Sequence, residues 1–231
     1  MSSLDEALPL IREAAAQSGG DSADVFDGLE PFGTMIAAIL ARQVGSSRWK
    51  PVIEAMGEHG LLTPSRLDDA GMPEIQDALR GKVRSISVRT LAPAKQLARW
   101  LVEHHDGDPE VLTDPGRATD DLRDELAGVR GVGMVGADAI LLVALKRPTY
   151  PVDRGTYRIL VRHGWLDPGA TYEDARDVMV HRAGENPDLL IRLSAGMEEL
   201  AGRFCRASAP RCDACPLRPL LPEGGPLGGG E

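Results

Sequence analysis

The sequence predicts an all-α protein with two helical domains, a helix-hairpin-helix motif and a C-terminal cysteine loop. Three observations carry the prediction. Aromatic residues are only 4% of the 231 while alanine and leucine are abundant, a balance that favours helix over sheet. Prolines and glycines stand where helices start and stop, with Pro64 and Pro93 at starts and Gly71 and Gly164 at ends. Gly131-Val132-Gly133 lies between Leu122/Leu126 and the apolar run Ile140 to Leu145, so two helices must be joined by a turn that glycine makes without strain. The length allows one large or two modest domains with a core.

In order, residues 4 to 16 read as a short amphipathic helix, followed by a loop through Ser18-Gly19-Gly20-Asp21-Ser22. The start, MSSLDEALPLIREAAA, has neither the basic opening nor the apolar core of a signal peptide. No apolar run approaches the roughly 20 residues that cross a membrane, so a cytoplasmic protein without membrane contact is expected. Pro31-Phe32 opens a strongly helical segment, GTMIAAILARQVGSSRWKPVIEAM, in which Gln43 reads as a polar helix-end residue before a Gly-Ser turn. Thr63 is an expected N-cap for a short helix that begins at Pro64 and stops at Gly71. A second short helix runs from Pro73 to Leu79, before the Arg80-Gly81 turn. Lys82 to Thr90 takes no assigned role. The helix begun at Pro93 sets Leu97 and Leu101 at i, i+4 for core packing. His104 and His105 are adjacent at a helix end and point in different directions, which argues against a metal site.

The glycine hairpin has two readings. It is a bare interhelical turn, or its successive amides at a helix N-terminus form a concave site for phosphate that needs no basic side chain. The downstream helix, Gly136 to about Leu145, ends at Lys146-Arg147-Pro148. Pro151-Val152 reads as extended. Asp153 then stands where a carboxylate caps the helix beginning at Arg154, and taken alone a cap is its ordinary role. Arg154, Arg158 and Arg162 recur every four residues along one side of that helix, suited equally to phosphate, to holding Asp153 or to packing. Two further helices are expected near Tyr172 to Ala183 and Asp188 to Phe204, after the turn Trp165-Leu166-Asp167-Pro168-Gly169.

The run GVG, then ADAILL, then PVD with an arginine five residues after the aspartate resembles the helix-hairpin-helix DNA glycosylases of the endonuclease III superfamily. The resemblance covers roughly Pro31 to Cys215 and lies in ordered spacing rather than in one motif. It implies that Asp153 is the catalytic aspartate and that Gly131, Val132 and Gly133 hold a DNA phosphate. Gln43, in LARQ, matches a glutamine that fills the duplex where the target base has turned out, an opening that costs a few kcal/mol. Lys146, Arg147 and Arg158 complete the expected DNA-binding set. Bifunctional members carry a lysine two residues after the hairpin's last glycine, and here that position is Val135. A lysine there would attack C1′ and form the Schiff base that permits strand cutting. Valine has no amine, so the resemblance implies a monofunctional glycosylase in which Asp153 assists water. Its expected partner is double-stranded DNA carrying a damaged or mismatched base, and its expected state is monomeric. The alternatives are a non-catalytic damaged-DNA-binding module of the same fold and a hairpin used for protein contacts.

The net charge of −9 runs against a DNA-binding role, since phosphate contacts ask for a basic footprint. Placement softens this. Residues 1 to 30 hold seven acids against one base, whereas Lys146 to Arg162 hold five bases against Asp153 alone. The three cysteines, Cys205, Cys212 and Cys215, fall within eleven positions, and their odd number argues against a disulfide framework. Their spacing matches the first three ligands of the superfamily's 4Fe-4S cluster, with Leu221 where the fourth cysteine is expected. Three outcomes stay open: a three-iron cluster, four irons with some other fourth ligand, or a loop without metal. Zinc is disfavoured because no histidine lies nearby in sequence. The expected domains are 31–147, with six helices and the hairpin; 1–30 joined to 148–222, with the cysteine loop; and a disordered glycine-rich tail, 223–231.

Overall fold

The computed structural model describes residues 3–17, 26–45, 48–80 and 87–228, which hold eleven α-helices and no strand. In chain order the helices are α1 (Leu4–Gln17), α2 (Pro31–Val44), α3 (Lys50–Glu58), α4 (Pro64–Asp69), α5 (Met72–Leu79), α6 (Ala92–His105), α7 (Thr119–Gly128), α8 (Gly133–Val143), α9 (Arg154–Arg162), α10 (Tyr172–Arg182) and α11 (Pro187–Arg203). The loop expected at Ser18 to Ser22 and most of Lys82 to Thr90 lie outside the described residues. Two compact units result, Phe26–Arg147 and a second made of Met1–Val25 with Pro148–Glu231. Residues 26–30, expected with the second, join the first, where the Phe26 ring stacks on Trp49 at 4.8 Å.

The unit Phe26–Arg147 is built on α2 and α8. Pro31 starts α2, and an alanine-rich apolar run buries Phe32, Met35, Ile36, Ile39 and Leu40. The helical segment from 31 to 56 divides into two helices at Gly45, just after the helix end expected near Gln43, because Gly45 leaves helical geometry at φ +89°. Apart from Asp138, α8 is apolar and it is buried from Gly136 to Leu142, the expected placement for such a helix. It starts three residues earlier than expected, at Gly133. Thr63 does occupy the N-cap of α4, but its side chain makes no capping bond. The other end of α4 is closed from a distance: Lys95 Nζ donates to Leu67 O, Asp68 O and Ala70 O at 3.0, 2.6 and 2.8 Å. These last-turn carbonyls have no helical partner and carry the negative end of the dipole.

In the other unit α1 packs on α11 through Gly196, where a Cβ would collide with the carbonyl oxygen of Ile11 and meet Ile11 Cγ2 at 2.8 Å. α9 packs on α11 through Gly155, whose Cβ would lie 2.6 Å from that of Ala201. Thr171 and Asp174 form a capping box on α10, and Asn186 Oδ1 accepts from Leu189 N–H at the start of α11. The tail expected to be disordered from 223 is laid down as far as Gly228. Leu227 N–H donates to Arg162 O at 2.9 Å, which fixes that stretch against the end of α9.

Candidate active site

The hairpin turns on Gly131 at φ +87° and Gly133 at φ +60°. Gly131 is required twice over, since a Cβ would also press within 3.2 Å of Pro93 Cγ at the start of α6. Val132 departs from expectation. Its N–H closes the turn onto Val129 O at 3.0 Å and its side chain is buried, so neither faces outward. Its burial belongs to the helix packing, with its Cγ1 2.9 Å from where a Cβ on Gly136 would stand. No side chain caps α8, so its first-turn N–H groups carry the positive end of an apolar, buried helix. Behind the turn, Arg123 of α7 reaches the fully buried Asp138 of α8, Nε to Oδ1 at 2.7 Å, and also binds Asp120. Burial alone would pull the arginine's pKa down, but the bonds and charges of Asp138 and Asp120 more than offset this and raise it. The ion pair therefore holds the two helices that present the hairpin.

Val135 lies in the first turn of α8, half-buried. Lys146 is exposed beyond the other end of the same helix, at φ +50°. At about 1.5 Å rise per residue the helix from Val135 to its end at Val143 alone spans about 12 Å. Arg147, expected to contact DNA, is turned onto its own unit. Its guanidinium donates to Arg117 O at 2.8 Å and Asp114 O at 2.7 Å, satisfying the carbonyls of the 114–117 turn. Gln43 is exposed in the last turn of α2.

Asp153 is half-buried and caps α9: its Oδ1 accepts from Thr156 N–H at 2.6 Å. The approach to it is rigid, because residues 149–152 are buried and Val152 N–H donates to the Tyr172 hydroxyl at 3.3 Å. Gly155 fixes the other side. A Cβ there would sit 3.2 Å from Asp153 Oδ1 as well as against Ala201. Tyr172, Gly155 and Ala201 were not singled out from sequence; a tyrosine nineteen residues downstream and one small residue on each helix give no local signal.

Two of the three arginines of α9, Arg158 and Arg162, go to the cysteine loop. Arg158, expected on DNA, donates from Nε to Cys205 O at 2.7 Å. Buried Arg162 donates to Arg206 O at 2.7 Å, Ala207 O at 3.2 Å and Cys205 Sγ at 3.4 Å. The loop's backbone turns away from any helix, so its carbonyls need these donors. Cys205, Cys212 and Cys215 line one partly open hollow, together with Arg162, His163 and Leu221. The Cys215 thiol pKa is pushed up, first by burial and then by Cys205 and Cys212, against the pull of a bond from the Leu217 backbone. Among the described residues no group of three His, Cys, Asp or Glu is placed to hold a single metal ion. Three thiols around one hollow, with a guanidinium beside a sulfur, are nonetheless a donor set suited to an iron-sulfur group. His163 lies there too, its pKa lowered by burial and opposed by its bond to Leu220.

No protein-family model matches the chain. It is 27% identical over 191 residues to an endonuclease III of Thermotoga maritima, covering 82% of this chain and 81% of that protein. It is 26% identical to a thymine/uracil-DNA glycosylase of Pyrobaculum aerophilum, covering 81% and 78%. Among solved structures it resembles endonuclease III trapped in a covalent intermediate with DNA, with TM-score 0.66 and 21% identity over 97% of this chain and 98% of that one. Among the described residues no helix is long and apolar enough to cross a membrane.

Proposed function

Since the chain belongs to the endonuclease III-like helix-hairpin-helix superfamily, we propose that it is a monofunctional DNA N-glycosylase using Asp153. The observation that carries the reading is the pairing of a rigidly placed Asp153 with Val135. The chain keeps the carboxylate needed for hydrolysis and lacks the amine needed for strand cutting.

In this reading the hairpin amides at Gly131 and the start of α8, with exposed Lys146, hold DNA through its phosphates. Phosphate contact positions the enzyme without reading sequence, and few basic side chains are required. Gln43 occupies the gap left by the turned-out nucleotide. Arg147 and Arg158 commit donors to backbone carbonyls, so this reading gives them no phosphate contact. Asp153 then takes a proton from water as the water's oxygen bonds to C1′ and the bond from C1′ to the base nitrogen breaks. The departing base keeps that electron pair. The carboxylate's charge also stabilises the oxocarbenium-like sugar. The cysteine loop has no step in base release. Cys205, Cys212 and Cys215 would hold an iron-sulfur cluster, which when bound cross-links the loop through metal–thiolate bonds.

Mismatched and alkylated bases are the substrate classes that fit, because their removal needs no lysine. The thymine/uracil-specific relative supports the mismatched class. The test is single-turnover release on duplexes carrying a panel of damaged and mismatched bases, read with and without alkali. Strand breaks that appear only after alkali are expected. Breaks without alkali would overturn the monofunctional assignment, and binding without release on every duplex would leave a non-catalytic module.

A further inference from the structure

We propose that His163 is the fourth ligand, through Nε2, of an iron-sulfur cluster whose other three ligands are Cys205, Cys212 and Cys215. The inference is independent of the glycosylase reading. Cysteine spacing puts the fourth position on Leu221, whose side chain has no donor atom. The fold fills the gap from elsewhere. His163 caps the C-terminus of α9, is buried, and lines the same hollow as the three thiols and Leu221.

The ring is oriented as a ligating histidine needs. Its Nδ1 lies 3.3 Å from Leu220 O, and a carbonyl only accepts, so Nδ1 carries the proton and the neutral ring's lone pair is on Nε2. Histidines that bind metals usually make this second bond to a carbonyl or carboxylate. The carbonyl belongs to the residue next to Leu221, so the imidazole is tied to the segment that lacks its cysteine. Stacking on Trp165, with ring centroids 4.4 Å apart, removes most remaining freedom.

The hollow suits a cluster better than one ion. A single zinc needs every sulfur about 2.3 Å from one point, and the side chains are not drawn together in that way. The three cysteines and His163 instead line one partly open hollow. Beside it, Arg162 donates to Cys205 Sγ, offsetting thiolate charge and adding the kind of sulfur hydrogen bond that tunes such clusters.

The full chain would be reconstituted without oxygen from ferrous iron and sulfide, then assayed for iron and acid-labile sulfide. The dithionite-reduced sample would be examined by electron-nuclear double resonance. About four irons per chain, with hyperfine coupling to a directly bound nitrogen, are expected. His163→Ala should lose that coupling and at least one iron per chain. Should His163→Ala fail to fold, His163→Cys decides: it should keep the iron and lose the nitrogen coupling. Wild-type protein that takes up no cluster, holds only three irons, or shows no nitrogen coupling would overturn the assignment. So would coupling that persists in His163→Cys.

Discussion

Asp153 does two jobs, and two substitutions separate them. As a cap it accepts from Thr156 N–H at 2.6 Å, and in the proposed reaction its carboxylate activates water. Asparagine keeps the capping oxygen and removes the charge. It forfeits the favourable interaction with the helix N-terminus, about 0.3–1 kcal/mol, and because Asp153 is half-buried rather than exposed the loss should not fall below that range. Alanine also loses the cap, a further ~1 kcal/mol. Losing general-base assistance slows the step by roughly 10²–10⁴, about 2.7–5.4 kcal/mol at the barrier. A domain stable by about 5–15 kcal/mol stays essentially fully folded after losing ~2 kcal/mol, so unfolding does not account for a hundredfold defect. Single-turnover base release and urea midpoints should be measured on Asp153→Asn and Asp153→Ala together. Both should lose base release equally, while alanine shifts the midpoint further than asparagine does. Release by Asp153→Asn within about threefold of wild type, or defects that track the midpoints, would refute the assignment.

Three other outcomes follow from the packing. Gly196→Ala puts a Cβ into the backbone of Ile11, so α1 must move off α11; overpacking of about 1–3 kcal/mol should outweigh the ~1 kcal/mol gained in helix propensity, and an unchanged urea midpoint would contradict the close crossing. Arg123→Met leaves the fully buried Asp138 without its partner and should cost about 3–5 kcal/mol; adding Asp138→Asn should recover much of it, and additive losses in a double-mutant cycle would argue against the pair. Asp174 has its pKa lowered below the ordinary 3.8 by the Thr171 N–H and hydroxyl. A depressed carboxylate stabilises fully above its ordinary value and loses that contribution as pH falls through the lower folded one. Asp174→Asn should therefore remove a component of acid sensitivity that begins near pH 3.8, measured as stability against pH, and identical acid profiles would rule the capping box out as its source.

What the sequence could say was local. Proline at a first turn, glycine at φ > 0 and a carboxylate before a helix act within four residues, so the helices, the hairpin and the capping position of Asp153 were legible in it. Boundaries slipped where no side chain marks them, as at α8, which starts three residues early without any side-chain cap. The destinations of long side chains were not legible. Arg158 and Arg162 reach Cys205 across 47 and 43 residues, Arg147 reaches Asp114 across 33, and His163 reaches Leu220 across 57. A basic cluster in sequence therefore resolves into three arginines that donate to backbone carbonyls and two exposed residues, Lys146 and Arg154, because a buried carbonyl must find a donor wherever the fold can supply one. The same closure brings a histidine to three distant cysteines. Spacing along the chain fixed which residue types exist there, and only the tertiary path of α9 beside the C-terminal loop decided that they share one hollow.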